Sequence, residues 1–301
     1  MGPGADDEPY GTTTAPGPLS PLGERMRIRA TVAAVSGALV LSAFAVPAAQ
    51  AADATSGKAT LSSASATASL NVTFSKFKVN NGKAIVVGAS AKVAVPVTYT
   101  LTHAASLDVS EDNFASGPFI YLGTSASSPS KRIISDDPGT CTAASTTVLN
   151  CKATLYVRST GTVLKNANAV TWKAGGLAIN ADGTKTQGDL GNVPVRRASQ
   201  LTADATPEPV KKGKTITVTG KLSRANWETH KNAGYAGQSV KLQFRKNGST
   251  TYTTVKTIKT SSTGTLKTTV TATVDGYFRY SFAGTASTAA VNATGDFVDV
   301  K

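Results

Sequence analysis

The chain is short of the side chains that carry most enzyme chemistry. It holds two histidines, two cysteines, two tryptophans and two methionines in 301 residues. His103 and His230 lie on opposite sides of a compositional break near residue 200. No G-x-S-x-G, H-E-x-x-H or glycine-rich phosphate loop occurs. After residue 51 the glutamates are Glu111, Glu208 and Glu228, which leaves little from which to pair carboxylates for glycoside cleavage. These absences point away from catalysis, and no cofactor, catalytic residue or metal ligand is assigned. There is no C-x-x-C, and neither a block of basic residues nor an RNA-type aromatic motif, so no specific nucleic-acid partner is expected. Helix-period stretches are missing from the body of the chain, which argues against an α or α/β fold.

One apolar run is present. In 24-ERMRIRATVAAVSGALVLSAFAVPAAQAADA-54 a basic start (Arg25, Arg27, Arg29) precedes an uncharged Ala/Val/Leu stretch, then Pro47 and the small-residue site Ala49-Gln50-Ala51. The stretch is short for a membrane span and contains Thr31, Ser36, Gly37 and Ser42, so it reads as an export signal cleaved before Ala52. The preceding acidic, Pro/Gly/Thr-rich segment has no hydrophobic pattern. Residues 1–25 are either a disordered extension or, more simply, a mis-assigned start, with the signal peptide at 26–51 beginning at Met26. The expected location is secreted or extracellular, with no membrane association after cleavage. The tail 291-VNATGDFVDVK-301 has no apolar anchor or sortase-type motif.

Removing Arg25, Arg27 and Arg29 from 31 basic residues, and Asp6, Asp7, Glu8 and Glu24 from 18 acidic ones, leaves 28 and 14. The exported chain thus carries a formal +14. Exported basic proteins meet anionic surfaces, so a wall polymer or polysaccharide is the expected partner. Cys141 and Cys151 both lie in the exported part and are expected to pair as a hairpin staple.

Periodicity after residue 52 is two. Val93, Val95, Val97, Tyr99 and Leu101 share a face, with Pro96 on the other, which predicts an edge strand or one that tolerates a missing donor. The phase changes between Phe74 and Phe77, predicting a bulge. Further strands are predicted at 84–87, 119–122, 146–150, 154–157, 170–172 and 193–196. The pattern restarts after the Pro207/Pro209 segment, with strands at 215–222, 239–246, 264–274, 277–284 and 297–300. Trp172, alternating with Val170, is expected in the core, and Leu266, Val270 and Val274 are expected to share a face. The predicted fold is all-β: two immunoglobulin-like β-sandwich domains in tandem, 52–199 and 200–301.

Residues 237-GQSVKLQFRKNGSTTYTTVKTIKTSSTGTLKTTVTATVDGYFRYSFAG-284 carry a resemblance. The order G-x-x-V-x-L-x-F-R, Y-T-T-V, T-G-x-L and D-G-Y-F-R-Y-x-F-x-G resembles the bacterial immunoglobulin-like domains of exported actinobacterial proteins. The chain from residue 52 onward is also similar to secreted two-domain proteins of that origin, mostly uncharacterised, some labelled calcium-binding. The resemblance implies fold and export. For calcium the acidic stretches are 108-DVSEDN-113, 134-ISDDPG-139 and 180-NADGTKTQGD-189; none has the spacing of a closed oxygen cage, and each also reads as a polar turn.

The segment 223-SRANWETHKNAGYAGQ-238 is longer than a hairpin needs and carries Trp227, His230 and Tyr235. It is read in two ways: as a candidate ligand loop, or as a cap in which Trp227 folds back onto the sandwich with Tyr235 beside it. The expected function is a non-enzymatic binding or structural role at the cell surface. The alternative is a calcium-binding extracellular protein or the accessory module of a secreted hydrolase.

Overall fold

A computed structural model describes residues 68–301. The expected signal peptide and the segment before it lie outside the described residues. Within them, strands form wherever alternation gathers apolar residues on one side, because burying that side is favourable by about 25 cal/mol per Å². In chain order they are β1 (Ala68–Ser69), β2 (Val72–Val79), β3 (Ile85–Val87), β4 (Lys92–His103), β5 (Phe114–Leu122), β6 (Lys131–Ile134), β7 (Thr140–Ser145), β8 (Val148–Arg158), β9 (Thr171–Asn180), β10 (Gly183–Gln187) and β11 (Asn192–Arg197). There follow β12 (Ser199–Leu201), β13 (Asp204–Thr206), β14 (Thr215–Asn226), β15 (Lys231–Gly234), β16 (Ser239–Lys246), β17 (Thr253–Lys259), β18 (Thr265–Thr271), β19 (Gly276–Phe282), β20 (Val291–Asn292) and β21 (Asp296–Val298).

Four sheets result. In the first, β5 lies along one flank of β9, while β10 and β11 follow each other along the opposite flank. The second runs β2-β4-β8-β7. Val72, Phe74, Val97, Tyr99, Leu101, Leu155 and Val157 of the second share one buried core with Ile120, Trp172, Ala174, Ala178 and Val195 of the first. The third sheet is centred on β14, flanked by β12 and β13 on one side and β15 and β18 on the other; the fourth runs β17-β16-β19, continued by β20 and β21. Their shared core holds Ile216, Val218, Leu222, Val240, Leu242, Leu266, Phe278, Tyr280 and Phe282. Each pair of sheets encloses one core, giving two β-sandwiches, and a smaller buried cluster of Phe119, Tyr121, Ala126 and Leu177 lies apart from both cores. Gly220 sits on the inward face of β14, where a side chain would meet the Thr202 carbonyl and the Tyr280 ring.

The bulge expected in β2 is present: the register with β4 shifts between Ser75 and Lys78, and Lys76 takes φ 48°. β4 is an interior strand, but its ladder with β2 begins at Val97, so Pro96 lies beyond it. The strands expected at 146–150 and 154–157 are one strand, β8, whose phase is carried between them by Cys151 and Ala153, while Thr146 and Thr147 form the turn that precedes it. Trp172 is fully buried, whereas Val170 precedes β9 and is 43% exposed. Val274 lies past the end of β18 and is 37% exposed, so the face it was expected to share stops at Val270. Cys141 and Cys151 are bonded, directly opposite each other on β7 and β8.

Only Ala198 separates β11 from β12, and the chain is tied on both sides of it. The amide of Arg197 donates to Ser287 O, and Ala289 N donates to Arg197 O. Ala198 N donates to Val87 O, and Ala225 N to Ala198 O. Arg197 is 7% exposed and its Nε donates to the Ala225 carbonyl; desolvation pulls its pKa below the ordinary arginine value. The described residues fall within one compact unit.

Candidate functional site

The 223–238 segment is mostly strand. β14 continues through Asn226, turns over Trp227–His230 and returns as β15, with Ser223 opposite Gly234 and Asn226 opposite Lys231. Asn226 makes the turn: its Oδ1 accepts from Glu228 N (3.0 Å) and Thr229 N (3.2 Å). His230 closes it at φ 55° and is exposed.

Trp227 has no solvent exposure and belongs to the core of the first sandwich, to which its indole N–H donates at Val87 O (3.2 Å). Asn166, on the short 3-10 turn Asn166–Asn168 of the first sandwich, grips the turn of the hairpin. Its Oδ1 accepts from Trp227 N (3.0 Å), its Nδ2 donates to Asn226 Oδ1 (2.9 Å), and its backbone N–H donates to Glu228 Oε1 (2.9 Å). Tyr235 is elsewhere, edge-on to Phe282 at 5.8 Å and under the Arg224 guanidinium at 3.8 Å. Trp227, His230 and Tyr235 thus occupy three different surroundings.

The acidic stretches use their oxygens on their own turns and neighbours. Asp108 accepts from Ser110 N (2.9 Å) and Asn113 Nδ2 (2.6 Å), which lowers its pKa. Asp136 pairs with Arg158, whose hydrogen bond holds the carboxyl below the usual range. Asn180 Oδ1 accepts from Asp182 N and Gly183 N (both 2.9 Å). Among the described residues no three His, Cys, Asp or Glu side chains are grouped to hold a metal ion. His103 is 6% exposed, with Nδ1 at 2.9 Å from Ala104 O and Nε2 without a partner.

The side chains that do converge lie on the outer face of the fourth sheet. Because Leu242 on β16, and Phe278 and Tyr280 on β19, point into the core, Gln243 and Arg245, and Tyr277 and Arg279, point out. Arg245, Tyr277 and Phe297 stand directly opposite one another across β16, β19 and β21; Gln243 stands opposite Arg279. Tyr252, from the connection between β16 and β17, lies between the arginines. A ladder follows: the Arg279 guanidinium is 3.7 Å from the Tyr252 ring, and Arg245 is 5.4 Å from Tyr252 and 4.0 Å from Tyr277. The Tyr277 and Phe297 centroids are 5.1 Å apart. Phe297 is 36% exposed.

Each guanidinium is held in the plane of its donors as well. Arg279 Nε donates to Gln243 Oε1 (3.0 Å) and Arg245 Nη1 to Ser249 O (2.5 Å). Among the described residues neither arginine forms an ion pair. The carboxylates adjoining the face in sequence are turned to backbone: Asp275 Oδ1 accepts from Val300 N and Asp296 Oδ2 from Ala205 N. The face is therefore a fixed row of cations and aromatic rings with free in-plane N–H donors, a shape suited to oxyanions.

No protein-family model matches the chain. No curated protein matches it. Solved structures similar to it include the D0-D1 domain of intimin, at 18% identity and TM-score 0.25 over 75% of this chain and 98% of that one. The Yersinia pseudotuberculosis adhesin InvE is similar at 15% identity and TM-score 0.25, over 76% and 58%. The I-band fragment I67-I69 from titin is similar at 9% identity and TM-score 0.29, over 76% and 65%.

Alternation in 239-SVKLQFRK-246 sets Lys241 and Arg245 on the face opposite Val240 and Leu242, and alternation of Phe278, Tyr280 and Phe282 leaves Tyr277 and Arg279 on the other face. Nothing in the sequence connects these with Tyr252 and Phe297. What it lacked was the register that sets Arg245 against Tyr277.

Proposed function

We propose that this chain is an exported, non-enzymatic protein that acts at the cell surface by holding anionic or polysaccharide wall material. The carrying observation is the excess of outward cations without carboxylate partners. Ion pairs among the described residues involve Arg158, Lys173 and Lys301. Charge is spread over both halves: from Ala52 to Gln200 there are 14 basic and 8 acidic residues, a formal +6, and from Leu201 onward 14 and 6, a formal +8. Spread charge attracts a polyanion loosely, and exposed charges are screened over about 10 Å at 0.1 M salt. The secreted form should begin at Ala52. Added to isolated wall, it should bind at low salt and be released steeply as salt rises towards molar. Failure to bind at low salt, or a mature start near Met1, would sink the reading.

A further inference from the structure

Loose attraction leaves the Arg279–Tyr252–Arg245–Tyr277–Phe297 row unexplained, because charge alone needs no rigid geometry. We infer that this row is a recognition site for an extended wall polymer carrying one oxyanion per repeat, with successive oxyanions held by Arg279 and Arg245. The inference rests on the proposed surface-binding function and assigns it a place. The Arg279 and Arg245 guanidiniums lie over the Tyr252 and Tyr277 rings, 3.7 and 4.0 Å from the centroids. After the bonds to Gln243 and Ser249, Arg279 retains its two terminal nitrogens, and Arg245 retains Nε and Nη2. Those N–H groups match a planar carboxylate or the oxygens of a phosphodiester. A side chain fixed before binding loses little further freedom on binding.

Spacing indicates a chain and not a single ion. Arg245 stands opposite Tyr277 and Arg279 opposite Gln243, so the arginines are diagonal neighbours whose backbone positions on adjacent strands are about 7–8 Å apart, and their guanidiniums flank the Tyr252 ring from two sides. Two consecutive anionic repeats of an extended polymer can span that distance. The rings discriminate against a polynucleotide. Tyr252 is flanked by both guanidiniums, and Tyr277 by Arg245 and Phe297, so neither offers a bare platform for a base. The exposed part of Phe297 instead offers an apolar patch at the end of the row, where the C–H face of a sugar ring can rest.

The test uses the whole secreted chain, titrated at about 0.1 M salt with oligogalacturonate (carboxylate), polyglycerol phosphate (phosphodiester), neutral dextran and single-stranded DNA. Binding is expected to one or both of the first two, which separates the two anion sources, and not to dextran. The double variant Arg245→Lys/Arg279→Lys keeps the charge but removes the planar donors, and should bind about tenfold more weakly or worse. Lys76→Gln/Lys152→Gln removes two charges from a groove on the first sandwich and should change affinity by less than about threefold. If the lysine pair matters as much as the arginine pair, or the arginine pair does not matter, the site is overturned while charge-driven retention stands. If no anionic polymer binds at all, both readings fall. Single-stranded DNA bound tenfold more tightly than either polymer overturns the occupant. A readout independent of any variant is the side-chain N–H resonances of Arg245 and Arg279 in the native protein, which should shift on adding polymer; no shift on saturation overturns the site.

Discussion

At the scale of the residue, two buried phenols are held by hydrogen bonds inside the cores. Tyr99 is 2% exposed, with its hydroxyl 2.9 Å from Ser116 Oγ; Tyr280 has no exposure and donates to Val218 O at 2.9 Å. Burial raises both to about 12 from an ordinary 10.0. An unfolded phenol releases its proton near 10 and the folded ones hold theirs to about 12. Their contribution is thus complete below pH 10 and is lost as pH rises towards about 12. Tyr99→Phe and Tyr280→Phe should each lower stability by about 1 kcal/mol at neutral pH, as one hydrogen bond is lost. Each should also remove one late phase from the alkaline absorbance titration of the phenols. An unchanged titration would contradict the assignment. The inward orientation of both tyrosines was legible from alternation; their partners were not, because Ser116 and the Val218 carbonyl carry no sequence mark.

At the scale of the element, legibility followed burial. β4, β14, β16 and β19 each set one face in a core, and their sequences alternate accordingly. Three of the strands that escaped prediction lack that contrast. β7 and β17 are edge strands with almost every residue exposed, and β15 is exposed throughout. A strand that buries neither face needs no period of two, so nothing in 140-TCTAAS-145 or 253-TTVKTIK-259 sets it apart from loop. The same contrast explains why the candidate face was half legible: the pattern fixes which way a side chain points, but the neighbour across the ladder comes from register. For β7 the remedy is covalent. Its bond to β8 closes a short loop, worth about 2–3 kcal/mol by chain entropy. Reduction should add about 2 Da to the intact mass, as one bridge gains two protons. Cys141→Ala/Cys151→Ala should lower stability by that amount and increase amide exchange first in Thr140–Ser145. Free thiols in the secreted protein, with no mass change, would exclude the bridge.

At the scale of the whole molecule, the β14–β15 hairpin sends two buried side chains, Ala225 and Trp227, into the first core. Trp227 stands on a hairpin of the second sandwich yet fills the core of the first. The one-residue connection at Ala198, the buried Arg197 and the Asn166 grip hold the sandwiches around it. The sequence offered Trp227 as either a ligand contact or a cap, and nothing in residues 223–238 could have named Val87 and Asn166 as its neighbours, 140 and 61 positions away. A division at 199/200 into separately folding halves is a proposal with a direct test in this residue. Trp227→Ala leaves a cavity and should cost about 3–5 kcal/mol. The loss should fall on the sandwich that does not contain the mutation: amides of β3, β4 and β9 should exchange faster, while those of β16 and β19 keep their protection. Asn166→Ala strands Asn226, Glu228 and the Trp227 amide without their partner and should cost about 1–3 kcal/mol. The two losses should not add, because both act through the same hairpin. Additive losses, or faster exchange confined to the second sandwich, would mean that the tryptophan is a local plug and that the cores are stable without each other.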